Sequence, residues 1–570
     1  MRIFLPAFLF LLAAASAPAQ QLLDRFKPKE PSPMPSSTDA TAPSEVTTGP
    51  VEPQAEGGPT LKGLIFAGDS SQLKSGGAAP SIAVQIKSVP ILGGDDFAGK
   101  MGAFLGKPIS LDLVNAIAAE TARYFADHDH PVVSVVAPEQ DVTEGVIQFV
   151  VTEARIGEVR VAGNKHFDSR HFTTRLEPGE PVIMSTLEAD TAFYGRNPFH
   201  NVVAELSPGA DSGETDITLR VLDQFPLRLY TGYEDSGVPS TGEDRLYAGF
   251  NWGNVLGLDH QLSYQYTTDT EFDRLRAHSA TYTIPLPWKH LLSISGTYAQ
   301  SDPSLGQDFD MSGETWEVSA RYTLPLRKLG RLTHEAHLAY DFKSTDNNLQ
   351  FGGLEVFDTA VEISQFSAGY QAALPDKLGR TTLALRGVYS PGGMSSHNDD
   401  EAFDAARAGS QSEYWYGTLG IDRVTRLPFD LTWALSANGQ IADGNLQSTE
   451  QFLLGGYATV RGYDELAASG DSGVFVRNEI YTPAIPLLRT AGIDRFTDRL
   501  QLLAFHDFGV ASVADPLDGE DENVQLQSVG VGLRWQFEKN LSLRFDYGWQ
   551  IDDIGLADNS RAHLGVTVSY

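Results

Sequence analysis

The chain has 570 residues, no cysteine, and 74 acidic against 42 basic side chains, which leaves a net charge of -32 at pH 7. That balance argues against nucleic acid as a partner, since a polyanion is repelled by another unless a local basic stripe intervenes, and none is visible. Without cysteine no disulfide framework can hold the fold, while 54 Gly, 20 Tyr and 30 Phe with only 20% charged residues suit many strands bordered by aromatic girdles.

At the start, Arg2 precedes the apolar run Ile3 to Ala15 and the small-residue triplet Ala17-Pro18-Ala19. This is the layout of a secretory signal peptide, expected to span 1–19 and to be cleaved near Ala19. No later apolar run is long enough to cross a bilayer as a helix, which leaves a soluble protein or a β-barrel. Residues 20–80 read as a Pro-rich disordered linker, with a short strand near Leu61 to Phe66 that finds no place in it.

From 81 to 225 one pattern occurs twice. The first copy, 81–153, has a strand at Ile82 to Val89, a helical stretch near Phe97 to Leu105 and an amphipathic helix after Ser110. That helix has Val114, Ile117, Ala118, Thr121 and Phe125 on one face, and two strands close the unit, Val132 to Val136 and Val146 to Thr152. The second copy, 154–225, opens at Glu158 to Val161 and runs through Phe167 to Leu176. It enters its second helix at the capping box Ser185-Thr186-Leu187-Glu188, and closes with Val202 to Leu206 and Asp216 to Leu222. Each copy is β-α-α-β-β, an α+β sheet with helices on one face and an edge strand open to a visiting chain.

From 226 to 570 the pattern becomes roughly ten-residue alternating segments. Leu541, Leu543, Phe545, Tyr547 and Trp549 share one face, with Ser542, Arg544, Asp546 and Gln550 on the other. Short turns such as Pro285 to Lys289, Pro375 to Gly379 and Glu538 to Asn540 alternate with longer loops at Ser301 to Met311, Lys343 to Asp358, Pro391 to Gln411 and Ala514 to Asn523. An apolar face ending in aromatics, a polar face bearing Arg and Asp, and alternating loop lengths predict a transmembrane β-barrel of about sixteen antiparallel strands.

Before the segment Gly473 to Tyr481 lies Gln451 to Tyr463, with the tetrad Val460-Arg461-Gly462-Tyr463, and Phe505-His506-Asp507 follows. These motifs resemble the lumenal loop and late strand of the BamA-like polypeptide-transporting outer-membrane barrels. Two POTRA-like domains before about sixteen strands, with Tyr247 to Gly257 as an early strand, resemble the two-partner secretion transporters, the haemolysin secretion/activation proteins of TpsB type. The resemblance implies a lumenal loop that gates the pore, Arg461 paired with Asp507, and Tyr570 as the C-terminal assembly signal. Phe505 and Asp507 share parity, hence a face, and an Arg fork meets a carboxylate bidentately. Arg477 and Glu479 share the parity of the intervening strand and are candidates for the same network.

The function implied is secretion of a partner exoprotein, adhesin or haemolysin, taken up unfolded. Outer-membrane lipid and the barrel assembly machinery are the further partners. The location implied is the outer membrane, with the POTRA-like domains in the periplasm. A membrane assembly factor is the alternative and a passive porin ranks below it. The sequence departs from the family in lacking a convincing plug helix.

No enzyme is expected, for want of a catalytic set, and neither cofactor nor metal. Gly94-x4-Gly99-Lys100 has Met101 where a phosphate loop needs Ser or Thr. His128-Asp129-His130 diverge at a helix end. Gly68-Asp69-Ser70-Ser71 has no arranged His and Asp. Asp399-Asp400-Glu401 and Glu520-Asp521-Glu522 read as solvated loops.

Overall fold

The computed structural model describes residues 22–31, 59–78, 83–303, 309–351, 354–555 and 558–570. The expected signal peptide, 1–19, lies outside them. The described residues form two units, one built from 59–224 and the other from 225 onward together with 22–31.

In the first unit, β1 (Gly63–Ala67), β2 (Val84–Lys87), α1 (Asp95–Gly102), α2 (Leu111–Asp127), β3 (Val133–Val136) and β4 (Val146–Glu153) build a sheet of order β2-β1-β4-β3. All five residues of β1 are buried, as befits a central parallel strand covered on both faces. Phe66, Phe97, Met101, Ile117, Phe125 and Phe149 form its core beneath the helices. The strand placed at Ile82 to Val89 is therefore the sheet edge. The central strand comes from Gly63–Ala67, inside the stretch assigned to the linker, because five apolar residues are too few to stand out from a polar tract.

The second sheet, β5-β7-β6, uses β5 (Arg155–Ala162), β6 (His200–Pro208) and β7 (Glu214–Asp223), with α3 (Met184–Tyr194) between β5 and β6. Only a 3-10 turn, Ser169–His171, stands in the Phe167 to Leu176 stretch. The capping box does not form either, because α3 starts two residues earlier, with Ile183 instead of Ser185 at its N-cap. Asp129, in the left-handed region at φ 76°, caps the helix from the other domain: its carbonyl accepts from Met184 N at 3.1 Å and its carboxylate from Ser185 N at 2.7 Å.

The barrel strands follow in chain order: β8 (Leu227–Glu234), β9 (Arg245–Val255), β10 (His260–Thr268), β11 (Leu275–Pro285), β12 (Leu291–Ser301), β13 (Phe309–Pro325), β14 (Thr333–Phe351) and β15 (Leu354–Pro375). Then come β16 (Gly379–Pro391), α4 (Asp400–Ala406), β17 (Glu413–Arg426), β18 (Thr432–Ala442), the small hairpin β19 (Phe452–Leu454) and β20 (Ala468–Gly470), and β21 (Ser472–Tyr481). After α5 (Leu487–Thr490) the chain ends in β22 (Asp498–Ser512), β23 (Asn523–Phe537), β24 (Leu541–Gln550) and β25 (Ser560–Ser569). All but β19 and β20 pair antiparallel into a closed 16-strand barrel, sealed where β25 meets β8 from Gly565↔Glu234 to Ser569↔Tyr230. Closure leaves no open ladder facing lipid.

The alternation sorts side chains as the sheet pleat requires: Trp415, Leu419, Val531, Trp549 and Val568 are exposed on the outer wall, while Tyr414, Tyr416, Glu479, Asp507 and Asp546 are buried within. Among the described residues, two expected loops are partly strand. β14 and β15, of 19 and 22 residues, reach Phe351 and start at Leu354 within the expected loop Lys343 to Asp358, and β13 takes up the end of Ser301 to Met311. Since about 9–11 residues cross a bilayer, this hairpin projects well beyond the wall at the end away from the barrel's chain termini. Polar residues such as Asp346 and Asn347 pair there as strands because the register, and not lipid, holds them.

Candidate functional site: the occupied lumen

Between β18 and β21 the chain does not cross directly but folds 443–471 into the lumen, where β19 and β20 pair with each other. The apolar side chains Phe452, Leu454, Val460, Tyr463 and Ala468 pack with Phe475, Ala511 and Leu526 of the wall and so carry the polar tetrad inside. Arg461 becomes fully buried, at 0% exposure.

Its guanidinium reaches three carboxylates on three strands. Nε donates to Asp507 Oδ2 at 2.7 Å and Nη2 to Asp507 Oδ1 at 2.8 Å, a bidentate pair, and the Arg461 backbone N–H adds a third bond to Asp507 at 3.2 Å. Nη1 donates to Glu479 at 2.7 Å and to Asp546 at 3.2 Å. The guanidinium lies 3.6 Å from the Phe505 ring centroid, so Phe505 supplies a stacking floor. Arg477 bonds Glu479 at 3.1 Å and the Ala458 carbonyl at 3.1 Å, and Arg534 meets Asp546 at 3.0 Å. Three arginines thus face three carboxylates, the arrangement that lets buried charge persist in a low dielectric.

The neighbours of Arg461 fix its approach. Gly462, at φ 90°, presses its backbone against Gly548 of β24: a Cβ on Gly548 would fall 2.7 Å from Gly462 N. Gly462 N–H donates to His563 Nε2 at 3.2 Å. Tyr463 OH lies between the carbonyls of Gln527 (2.9 Å) and Asp552 (2.8 Å). Tyr570 stands apart from this centre: its backbone exchanges hydrogen bonds with Leu229 at the seam, and its side chain is 94% exposed.

A second occupant of the lumen escaped the sequence reading. The segment 22–31, assigned to the disordered linker, forms a 3-10 turn (Leu22–Phe26) and an irregular stretch, both against the inner face of the barrel. Leu23 packs on Ala277 and Ala299 of the inner wall, Arg25 pairs with Glu465 of the lumenal loop at 2.9 Å, and Lys29 with Glu234 at 3.3 Å. One turn of 3-10 helix lacks the periodicity that marks a plug helix, and Pro28 prevents it from growing; the only trace in sequence is a Leu-Leu-x-x-Phe run followed by basic residues. Asp546 was visible only as a member of a polar face, and Arg534, Gly548 and His563 had nothing in the sequence to single them out.

The remaining motifs have structural work. Gly94 is the N-cap of α1, and Phe97 and Met101 are core. Asp69 accepts from Ser71 N in a turn, and Asp399 caps α4 by accepting from Ala402 N at 2.9 Å.

A closed sixteen-strand barrel filled by an inward loop, in a chain that also carries two α+β sheet domains, defines the polypeptide-transporting class of outer-membrane barrels. Residues 213–535 match the model of the haemolysin secretion/activation protein family ShlB/FhaC/HecB, and the chain belongs to that family. Among relatives, the heme/hemopexin transporter protein HuxB of Haemophilus influenzae is 22% identical over 455 residues, 77% of each chain. The outer membrane transporter CdiB of Escherichia coli is 26% identical over 364 residues, 60% of this chain and 58% of its own. The solved structure of CdiB from Escherichia coli superposes with TM-score 0.72 at 19% identity over 92% of this chain and 93% of its own, and CdiB from Acinetobacter baumannii with 0.62 at 18% over 96% and 95%. The protein is an outer-membrane transporter of the two-partner secretion type with its POTRA-like domains in the periplasm. The barrel end that carries Leu227 and Tyr570 is therefore the periplasmic one, and 443–471 descends from the outer end.

Proposed function

We propose that this transporter takes up its partner exoprotein, an adhesin or haemolysin, as an extended chain on an edge strand of a POTRA-like sheet, and passes it through the lumen once the resident segments yield. The observation that carries this reading is the doubly occupied lumen, held by Arg461 on Asp507, Glu479 and Asp546 and by Arg25 on Glu465. β3 and β6 each leave one edge without a strand partner among the described residues, and such an edge binds many sequences through main-chain bonds. Arg461 with its Val460, Gly462 and Tyr463 neighbours is the gating motif of this reading. Phe505 and Asp507 are its strand partners, and Arg477 and Glu479 extend the network. Tyr570 is what the barrel assembly machinery reads, and the barrel's outer wall meets lipid. The transporter performs no chemistry of its own, so the drive comes from the passenger.

The test is secretion of the partner by cells carrying Arg461→Ala, with the barrel's assembly followed by heat-modifiable migration. Assembled barrel with export reduced supports the reading, and full export contradicts it. Deleting both POTRA-like domains tests the docking step separately, since unchanged export would remove it.

A further inference from the structure

The lumenal loop is fastened at two places, on different arcs of the wall and by different means. The return limb, from Val460 to Glu465, is held on β21 to β25 by the Arg461 cluster, by the contact of Gly462 with Gly548, and by the apolar group of Phe452, Leu454, Val460 and Tyr463. The outgoing limb, Asp443 to Gln451, rests on the adjoining arc, β14 to β18. There Glu450, 0% exposed, accepts from Lys343 Nζ of β14 at 2.5 Å, Gln365 of β15 at 3.0 Å and Tyr416 of β17 at 2.8 Å. Its backbone carbonyl accepts from Gln440 at 2.9 Å.

The two fastenings differ in what release requires. Backbone pressed on backbone between two glycines leaves no room for a small shift, and the apolar group would have to be exposed to water. The outgoing limb contributes one apolar side chain, Leu446, to a buried cluster. Its other contacts are polar: hydrogen bonds from Asn445 to Ala408 and Asp515 and from Gln447 to Phe403 and Ser410, and a single buried ion pair, Glu450 with Lys343, where the return limb has a cluster of three arginines and three carboxylates. Water can replace the neutral bonds at modest net loss, about 0.5–1.5 kcal/mol each, so the Glu450 pair is the one costly contact that holds this limb. Gly444, whose Cβ would meet nothing, stands at the start of the limb as a natural pivot.

We propose that the outgoing limb, Asp443 to Gln451, is the part of the loop that moves during export, and that Glu450 is the positioning residue that seats it on the β13–β17 wall while the Arg461 limb stays fixed. This rests on the reading that the lumenal loop must yield for the passenger. Displacing the limb clears the inner face of β14, β15 and β17 and leaves the return limb as a fixed rim. Arg407, which follows α4, pairs with Asp471 at the end of the loop, so the cover formed by α4 is tied to the same unit.

The absence of native cysteine makes the test direct. Lys343 and Glu450 meet through side chains too long for a disulfide, so Lys343→Cys with Glu450→Cys is bridged by a cleavable bis-methanethiosulfonate. A second pair, Asp464→Cys with Arg561→Cys, replaces an ion pair at the return limb and is bridged in the same way. Full-length transporter, shown to be assembled by heat-modifiable migration, is assayed for release of its partner and for single-channel conductance. The bridge at 343–450 is expected to abolish export and lower conductance, both restored by cleavage, whereas the bridge at 464–561 leaves both unchanged. Glu450→Gln alone is expected to raise conductance, and an unchanged current in that variant overturns the positioning role. Undiminished export with 343–450 bridged overturns the proposal. Loss of export with the 464–561 bridge as well means that the loop moves as a whole, which overturns the division between limbs and keeps the wider reading. Export indifferent to both bridges overturns that reading as well.

Discussion

Arg461 shows how much of the site depends on side-chain geometry beyond charge. Its planar fork spans Asp507 bidentately and still offers Nη1 to Glu479 and Asp546, which an ammonium cannot do. Arg461→Lys keeps the charge and is expected to lose export nearly as fully as Arg461→Ala, and comparing secreted partner from the two variants checks this. Leaving buried carboxylates without their partner costs about 3–5 kcal/mol, enough to unseat the loop without unfolding a barrel held by ladders. Gly548→Ala tests the same seat without touching a charge. Its Cβ would lie 2.7 Å from Gly462 N, backbone that cannot swing away as a side chain would, so the loop must lift. Proteolysis from the outer face is expected to cut 443–471 in Gly548→Ala and to spare it in the parent.

Among the elements, α3 depends on a residue from another domain. Asp129 satisfies two of its first N–H groups, and Asp129→Ala is expected to remove about 1 kcal/mol of helix stability. Hydrogen exchange in the full transporter should then speed up at Met184 to Leu187 and leave β4 unchanged. The sequence showed a capping box here, since Ser185 and Glu188 have the right spacing; what it could not show is a cap arriving from a distant loop. The same distinction runs through the molecule. Alternating faces made the barrel strands legible because each strand reports its own two surroundings, and Arg461 and Asp507 were legible through motifs. Asp546, Lys343 with Glu450, and the lodging of Leu23, Arg25 and Lys29 were not legible, because each acquires its role only from a partner far along the chain. Replacing Arg25 and Lys29 by Ala removes both charged fastenings of that segment, to Glu465 and Glu234, and a larger single-channel conductance is the expected result.

At the scale of the whole barrel, everything turns on closing the sheet at one seam. β25 meets β8 over only five registered pairs, Gly565↔Glu234 to Ser569↔Tyr230, and the reciprocal bonds of Tyr570 with Leu229 (2.9 and 3.0 Å) extend it at the periplasmic end. Tyr247 OH adds a bond to Thr567 Oγ1 at 2.6 Å across the same place. Tyr570 therefore carries two separable properties. Its backbone belongs to the seam, whereas its side chain, 94% exposed, is in a position to be read by an outside partner and adds little to the folded barrel. Tyr570→Ala keeps the backbone bonds, so any loss of assembled barrel in cells must come from recognition. Deleting Tyr570 removes both. The expected order of heat-modifiable barrel recovered from membranes is parent, then Tyr570→Ala, then the deletion. Purified, refolded Tyr570→Ala should match the parent in thermal stability, while the deletion falls below it. Equal recovery of Tyr570→Ala and parent from cells would remove the terminal aromatic from the assembly step and leave the seam as its only role.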